Sequence, residues 1–147
     1  MAYDSNNIFA KILRGEAPCV RVYEDAQTLV FMDLMPQADG HLLVIPKEPA
    51  ETLLDVSEEG AEACIRVTRR MAIAVKKALD VDGIHIAQLN GAAAGQTVPH
   101  CHFHVIPHEK GAALRRHWRR WPNVYGRNCR SLRLRRRIDY RNSTVSS

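Results

Sequence analysis

The sequence predicts one α+β domain in which a five-stranded antiparallel sheet is covered by one long helix, with a short helix ahead of the first strand. Short runs rich in β-branched and aromatic residues, separated by polar turns, recur through residues 19–107. One stretch, residues 58–79, has apolar side chains recurring at steps of three and four over several turns. Strands that follow one another without a helix after each favour α+β over an alternating α/β fold.

The first half of the chain is predicted to form a helix and three strands. Asn7 caps a short helix over "IFAKILR", and Gly15 lies just past its end. The runs "CVRVYED" and "TLVFMD" form the two strands of a hairpin. The stretch "PQADG" then makes a turn, and "HLLVIP" is the third strand.

The second half is predicted to form the long helix and two more strands. Ser57 opens the helix and "DVDG" ends it. The runs "IHIAQLN" and "HCHFHVI" are the fourth and fifth strands, joined by the loop "GAAAGQ". The residues expected on the buried face of the helix are Ala61, Cys64, Ile65, Thr68, Met71, Ala72, Val75 and Leu79.

Charge divides the chain into two parts. The net charge is +5, but residues 1–111 hold 10 Lys or Arg against 15 Asp or Glu, whereas residues 112–147 hold 11 Arg and one acid. We therefore expect a mildly acidic domain followed by a basic tail. The sequence shows no apolar run of the roughly 18 residues that a membrane span needs and no signal-peptide pattern. The four cysteines lack CxxC spacing, so we expect a cytoplasmic protein with reduced thiols.

Three histidines alternate with apolar residues in "VPHCHFHVIP", residues 98–107, which we call the histidine segment. Side chains of a strand alternate between its two faces, so the histidines share one face and the apolar residues share the other. The apolar set suits a core under the long helix, and the imidazoles then line the opposite, wetter face. The histidines are His100, His102 and His104, and the apolar residues are Cys101, Phe103 and Val105.

Three interpretations of the histidine face remain open. It is a polar sheet face, or a metal site, or a site at which His102 attacks a phosphate. A zinc site is hampered because the outer histidines lie about 13 Å apart at Cα, so it would need help from His41 or His85. Attack on phosphate suits an imidazole that has one nitrogen held by a hydrogen bond and the other nitrogen available.

The loop "NGAAAGQT", residues 90–97, favours phosphate chemistry. Its small residues allow backbone N–H groups to approach an anion closely, and Gln96 and Thr97 add side-chain donors. Donors placed next to aligned imidazoles can hold the oxygens of a phosphate while a histidine reacts with it.

Four motifs in this order resemble the histidine triad (HIT) family of nucleotide hydrolases and transferases, and its Hint-like branch in particular. They are "NIFAKILRGEAP", "FMDLMPQADGHLLVIPK", "NGAAAGQTV" and "GQTVPHCHFHVI", which together span roughly residues 6–110. The resemblance implies a HIT-like fold over residues 1–111, with the sheets of two subunits joined across a homodimer. It also implies that His102 attacks the α-phosphorus of a nucleotide, forms a nucleotidyl-histidine intermediate and releases a nucleoside monophosphate.

The resemblance assigns further roles to residues of the site. It implies that His104 contacts the phosphate, that His100 belongs to the surrounding hydrogen-bond network, and that His41 is the family's additional histidine. It makes Asp33 the ribose-binding acid, which agrees with the ability of a carboxylate to accept hydrogen bonds from two hydroxyls. The matched phosphate contacts are Asn90, Gly95, Gln96 and Thr97, and the matched apolar positions around the base are Phe9, Ile12, Phe31, Leu34 and Leu43.

A purely structural role at each of these positions stays open beside the assigned functional role. His41 is alternatively a histidine at a strand start, Asp33 a solvated turn aspartate, and the apolar residues ordinary core. No metal or cofactor is assigned, and "SNNIFAK" stands where some bacterial relatives carry a CxxC that helps to bind structural zinc, so no such zinc site is expected.

The substrate implied is an AMP or GMP derivative, most simply a nucleoside phosphoramidate. A dinucleoside polyphosphate (Ap4A-type) hydrolase is the first alternative, because both reactions use the same nucleophile and differ in the leaving group. A non-catalytic nucleotide-binding scaffold whose tail contacts nucleic acid is the second. The release of a monophosphate, and its loss when His102 is replaced, would separate the enzyme from the scaffold.

The basic tail, residues 112–147, has 11 arginines and no lysine, and three interpretations of it are open. It is an RNA- or DNA-binding arm in which Trp118, Trp121 and Tyr125 stack on bases. It is a segment packed on the dimer with Trp121 near the partner's site. It is the product of a reading-frame change in a GC-rich gene, in which case it is not selected for folding.

Overall fold

The structure, a computed structural model, describes residues 2–111, which form two α-helices, one short 3-10 turn and five strands. In chain order these are α1 (Ile8–Leu13), β1 (Arg21–Glu24), β2 (Thr28–Met32), β3 (Leu42–Pro46), α2 (Glu58–Leu79), β4 (Gly83–Gln88), the 3-10 turn (Ala92–Ala94) and β5 (Phe103–His108). Neither helix in this part of the chain is long and apolar enough to cross a membrane. The interpretations of the basic tail concern residues 112–147, outside the described residues.

The strands form one antiparallel sheet in the order β1-β2-β3-β5-β4. The predicted α+β class, with its five-stranded sheet, long helix and short N-terminal helix, is confirmed. The hairpin of β1 and β2 is held at its turn by the Asp25 carboxylate, which accepts hydrogen bonds from the N–H groups of Gln27 and Thr28. Because β5 lies between β3 and β4, the histidine segment lies next to the strand that follows His41.

α2 covers one face of the sheet. It begins at the predicted cap, where the Ser57 hydroxyl accepts a hydrogen bond from the Gly60 N–H at 3.0 Å, and it ends at Asp80, whose φ is 52°. The core under it joins helix residues such as Met71 to the alternate residues of the histidine segment. Those residues are Cys101, Phe103 and Val105, so the prediction that the apolar set faces the helix is confirmed.

The predicted buried face of α2 is partly wrong. Ile65 is 51% exposed, whereas Ala63 and Val67 are buried in its place. The predicted positions that are buried are Cys64, Thr68, Met71 and Val75. Both versions of the face follow steps of three and four, so periodicity alone does not choose between them. The choice is made by the sheet, which packs on the side of the helix that carries Ala63 and Val67.

The opposite face of the sheet packs against α1. Phe9 and Ile12 from this helix join a buried cluster with residues of two strands, which are Leu29, Phe31, Leu43 and Ile45. The rings of Phe9 and Phe31 meet edge to face with centroids 5.4 Å apart. The helix begins at the predicted Asn7 cap, whose Oδ1 accepts a hydrogen bond from the Ala10 N–H at 2.9 Å. At 6 residues it is too short to be stable alone, so this packing holds it in place.

The fifth strand begins later than predicted, at Phe103 rather than at His100. Ahead of it, the His100 N–H donates to the Val98 carbonyl at 2.9 Å in a turn, and the Cys101 N–H donates to the Ala50 carbonyl at 2.8 Å. Ala50 lies in the loop before α2 and not in a strand. The first part of the histidine segment is therefore held by loop contacts and side chains instead of a strand ladder.

Candidate active site

Three histidines, at or just before the starts of two neighbouring strands, meet on the α1 side of the sheet. His41 directly precedes β3, and His104 lies on β5, opposite Leu43 in the antiparallel register. The His41 Nε2 and His104 Nδ1 atoms are 2.9 Å apart, and the ring centroids of His102 and His104 are 4.9 Å apart. The structure thus brings together residues that are separated by about sixty positions in the chain, as the HIT resemblance implies.

The histidines do not line a wet face, and that part of the sequence prediction is wrong. His100, His102 and His104 are only 0%, 3% and 6% exposed. The N-terminal segment packs on His100 and His102. The Phe9 ring lies edge-on to His102 with a centroid distance of 5.1 Å, and the Tyr3 ring lies 5.6 Å from that of His100. Buried imidazoles with specific partners do not fit the interpretation of a merely polar sheet face.

The contacts of His102 fix which of its nitrogens carries the proton. Its Nδ1 lies 2.6 Å from the backbone carbonyl oxygen of His100. A carbonyl oxygen can only accept, so Nδ1 must donate and carries the proton. In the neutral ring Nε2 then carries the lone pair, which is the arrangement that a nucleophilic imidazole requires.

A second chain of hydrogen bonds fixes the protons of His41 and His104. The backbone N–H of Gln37 donates to His41 Nδ1 at 3.0 Å, so this nitrogen accepts and Nε2 of the neutral ring carries the proton. His41 Nε2 then donates to His104 Nδ1. It follows that Nε2 of a neutral His104 carries a proton. His104 is therefore a hydrogen-bond donor beside His102, suited to contact a phosphate oxygen or a leaving group.

Asp33 follows β2 and lies against His41. Its backbone N–H donates to the His41 carbonyl at 3.0 Å, and its Oδ1 accepts from the Met35 N–H at 2.8 Å. Its Oδ2 is 3.3 Å from His41 Nε2. The carboxylate is therefore part of the histidine cluster, and its ribose contact stays a prediction that is compatible with its remaining lone pairs.

Asp33, His41 and His104 offer donor atoms that lie within 4.8 Å of one another, as a metal site would require. The proton arrangement argues against a metal on His41. A metal-bound histidine usually donates its other ring N–H to an acceptor, but the other nitrogen of His41 faces the Gln37 N–H, which is itself a donor. The geometry therefore suits a hydrogen bond between His41 and His104 better than a metal ion bound by both.

His100 is anchored at both ring nitrogens. Its Nε2 donates to the Pro46 carbonyl at 2.9 Å, and its Nδ1 accepts from the Tyr3 hydroxyl at 2.5 Å. Burial lowers its pKa, against the raising effect of the Pro46 carbonyl, so the ring is held neutral. Tyr3, Gln37 and Pro46 were not found from the sequence, because two of them act through backbone groups and Tyr3 belongs to no motif.

The small-residue loop contains Gln96, whose amide is engaged within the protein. Its Oε1 accepts from the Gly91 N–H at 2.6 Å, and its Nε2 donates to the carbonyls of Glu51 at 2.7 Å and Val98 at 2.9 Å. Both amide hydrogens are thus used, and Gln96 braces the loop in this structure. Thr97 is exposed at the end of the loop, and its phosphate contact stays a prediction.

Asn90 begins the loop, and Gly95 ends the 3-10 turn within it. Asn90 Oδ1 accepts from the Leu53 N–H at 2.8 Å, and its Nδ2 donates to Gln88 Oε1 at 2.6 Å. Gly95 has a φ of 95°, which an L side chain rarely adopts. Their phosphate contacts also stay predictions, and the visible role of Asn90 is to fasten the loop before α2 to the end of β4.

Four of the five apolar positions assigned to the base lie in the cluster between α1 and the sheet, which are Phe9, Ile12, Phe31 and Leu43. Leu34 is half-buried next to Asp33 and lies outside that cluster. Phe9 is the member that touches a histidine ring, at 5.1 Å from His102. Contact of these residues with a base stays a prediction.

Comparison of sequences relates this chain to enzymes. The HIT domain profile matches residues 14–111. The chain is 40% identical over 100 residues to the adenosine 5'-monophosphoramidase of Schizosaccharomyces pombe, a match that covers 68% of this chain and 72% of that protein. It is 37% identical over 116 residues to an adenylylsulfatase of Arabidopsis thaliana, covering 75% of this chain and 59% of that protein.

Comparison with solved structures gives the same fold. A Hit-like protein from Bartonella henselae, described as involved in cell-cycle regulation and solved with an unknown ligand, matches with a TM-score of 0.83 and 46% identity, covering 94% of this chain and 97% of that one. A zinc-bound histidine triad family protein from Mycobacterium smegmatis matches with a TM-score of 0.75 and 36% identity, covering 90% and 93%.

Proposed function

Because this chain belongs to the histidine triad (HIT) family, we propose that it is a nucleotide hydrolase that cleaves a nucleoside phosphoramidate at the α-phosphate. His102 is the nucleophile, and a nucleoside monophosphate is the product. The observation that supports this most strongly is the hydrogen bond from His102 Nδ1 to the His100 carbonyl, because it gives Nε2 the lone pair.

The reaction proceeds in two displacements. In the first, the lone pair of His102 Nε2 forms a bond to the α-phosphorus, and the bond from phosphorus to the leaving nitrogen breaks with its electron pair. The leaving nitrogen takes a proton from the solvent, and His104 Nε2–H, beside His102, keeps its proton and donates a hydrogen bond to the departing nitrogen or to a phosphate oxygen. In the second, water attacks phosphorus, the bond to His102 breaks, and the attacking water releases a proton to the solvent.

The His100 carbonyl contributes to the first displacement. Bonding of Nε2 to phosphorus leaves the ring of His102 with positive charge, part of which lies at Nδ1–H. The carbonyl oxygen, already 2.6 Å from Nδ1, points its negative end at that charge without having to reorient. Burial of both residues strengthens this interaction, because water does not screen it.

The choice of leaving group is supported by the fission yeast relative, which is named as an adenosine 5'-monophosphoramidase. The Arabidopsis relative is named as an adenylylsulfatase, so a sulfate leaving group is the second to compare. An Ap4A-type hydrolase is the runner-up, and it uses the same nucleophile.

A parallel assay tests the proposal. The full chain is given adenosine 5'-phosphoramidate, adenosine 5'-phosphosulfate or diadenosine tetraphosphate, and AMP release is followed for each. We expect the largest kcat/KM for the phosphoramidate, and we expect His102→Asn to lose nearly all turnover while AMP binds within about tenfold of wild type. Larger kcat/KM for the tetraphosphate would favour the runner-up, and AMP binding without turnover of any of the three would favour a non-catalytic scaffold.

A further inference from the structure

We propose that Tyr3 is a positioning residue for the nucleophile: through His100 it holds the carbonyl that orients His102. The proposal rests on the function proposed above, in which His102 attacks phosphorus. Tyr3 lies outside the family profile match, which begins at residue 14, and it belongs to no motif found in the sequence.

The hydroxyl of Tyr3 links the start of α1 to His100. It accepts a hydrogen bond from Asn7 Nδ2 at 2.9 Å and donates to His100 Nδ1 at 2.5 Å. Asn7 is itself fixed, because its Oδ1 caps α1 through the Ala10 N–H. Burial raises the pKa of Tyr3, so the hydroxyl keeps its proton and remains a donor over the whole neutral range.

Because the His100 ring is fixed, the backbone carbonyl of His100 that contacts His102 is also held in place. With Nδ1 bonded to Tyr3 and Nε2 bonded to the Pro46 carbonyl, the His100 ring is held at both nitrogens. The backbone carbonyl of the same residue accepts the proton of His102 Nδ1 at 2.6 Å. A shift of His100 therefore moves the group that sets both the orientation and the tautomer of the nucleophile.

The constraint is needed because His100 and His102 precede the strand. β5 begins at Phe103, so no ladder of interstrand hydrogen bonds holds the His100 carbonyl. Around it, the backbone of the segment is tied by the turn to Val98 and by the Cys101 N–H, which donates to Ala50. The His100 ring itself is held by its hydrogen bonds to the Tyr3 hydroxyl and to the Pro46 backbone carbonyl.

The test compares Tyr3→Phe with Tyr23→Phe in the full chain. Tyr23 is a matched control, because its hydroxyl also donates to one side chain, Asp25 at 3.0 Å, and accepts from another, Arg70 at 3.3 Å, but the residue packs on the α2 side of the sheet. Both variants lose one partly buried hydroxyl, and only the first loses a link to His102.

Two readouts separate positioning from stability. Steady-state kinetics with adenosine 5'-phosphoramidate should show kcat lowered about tenfold by Tyr3→Phe with KM changed less than about twofold, since geometry of the nucleophile affects the transition state more than binding. The imidazole nitrogen resonances of His102, assigned by their absence in His102→Asn, should move from one tautomer toward a mixture. Tyr23→Phe should leave both readouts at the wild-type value, even if it lowers the melting temperature.

Unchanged His102 resonances in Tyr3→Phe would overturn the proposal whatever the rate does, as would kcat within about twofold of wild type. If the wild-type protein turns over no phosphoramidate, the proposed function fails instead. In that case the resonances alone decide whether Tyr3 positions His102.

Discussion

At the scale of single residues, the direction of the hydrogen bonds sets the proton positions in the candidate site. Two backbone groups, the Gln37 N–H and the His100 carbonyl, set the tautomers of His41 and His102. In the resulting tautomers, Nε2 of His102 carries a lone pair and Nε2 of His104 carries a proton. A ring with an acceptor at Nε2 and a ring with a donor at Nε2 thus lie side by side, with their centroids 4.9 Å apart.

Asp33 is predicted to bind ribose as well as to contact His41. Asp33→Ala should weaken binding of AMP by about 1.5–3 kcal/mol, the range for hydrogen bonds to a charged group. A ligand that lacks both ribose hydroxyls should lose little of its affinity. Calorimetric titration of wild type and variant with the two ligands gives the comparison, and equal weakening of both would assign Asp33 to the His41 contact alone.

The neutral, buried His100 makes the stability of the fold depend on pH. Burial lowers its pKa, so between the lowered value and the ordinary value of about 6.5 the unfolded chain binds a proton that the folded chain does not. The stability is therefore fully present above about pH 6.5 and is lost as the pH falls through that window. Thermal unfolding of wild type should show a steeper fall of Tm on acidification than that of His100→Asn. Parallel curves would mean that His100 does not titrate in this way.

The resemblance to the HIT family implies which histidines share a site, but it does not imply these proton positions. Alternation of His100, His102 and His104 was enough to place the apolar residues between them under α2. The tautomers depend on backbone groups of other residues, such as the Pro46 carbonyl for His100 and the Gln37 N–H for His41. Backbone donors and acceptors leave no mark on residue identity, so no sequence pattern could have shown them.

At the scale of elements, the turn before β3 is what brings His41 to the site. Gly40 has a φ of 92°, and a Cβ there would lie 2.5 Å from Leu79 Cδ1 and 3.3 Å from Pro107 Cγ. This turn thus lies against both the end of α2 and β5. His41 follows directly, so its place depends on a contact that only glycine allows.

Gly40→Ala should therefore cost stability and rate together. We expect a loss of roughly 1–3 kcal/mol in the free energy of unfolding, from backbone strain and the clash, and a lower kcat because His41 moves away from His104. Gly83→Ala is the control, because a Cβ there meets nothing within 4 Å; it should change stability by at most about 0.5 kcal/mol. Denaturant unfolding with steady-state kinetics measures both, and equal stability of the two variants would contradict this account of the turn.

For two elements, α2 and β5, the sequence pattern is not sufficient to predict the buried face or the first residue. The repeat of α2 allowed two buried faces one step apart, and Ile65 was assigned to the wrong one because the position of the sheet is a tertiary property. The start of β5 was placed at His100 because alternation continues through that residue, whereas strand pairing does not. The alternation does not indicate burial of His100 and His102, because Tyr3 and Phe9, which pack on them, lie nearly a hundred residues away in the chain.

At the scale of the whole molecule, one edge and one side of the described domain are suited to a second copy of the chain. β4 ends the sheet, and its 6 residues have no strand on their outer edge within residues 2–111. Ile86 on β4 is 44% exposed and Ile65 on α2 is 51% exposed. Ile86 lies opposite Val105, which packs under α2, so both isoleucines are on the α2 side of the sheet.

We propose that two subunits pair through β4 and α2, which would join their sheets and cover both isoleucines. Light scattering at micromolar concentration should give twice the 16.6 kDa mass of the chain. Ile86→Lys should shift the mass toward that of one chain, whereas Leu54→Lys, at a residue 85% exposed in the loop before α2, should not. A wild-type mass of 16.6 kDa would refute the homodimer.

The central claim, that His102 forms a covalent bond to phosphorus, is tested most directly by the stereochemistry of the reaction. An adenosine phosphoramidate made chiral at phosphorus with sulfur is hydrolysed in water enriched in oxygen-18, and the configuration of the product is determined. Two in-line displacements, first by His102 Nε2 and then by water, each invert phosphorus, so the account predicts net retention. Net inversion would mean that water attacks the substrate directly, and it would contradict His102 as the nucleophile.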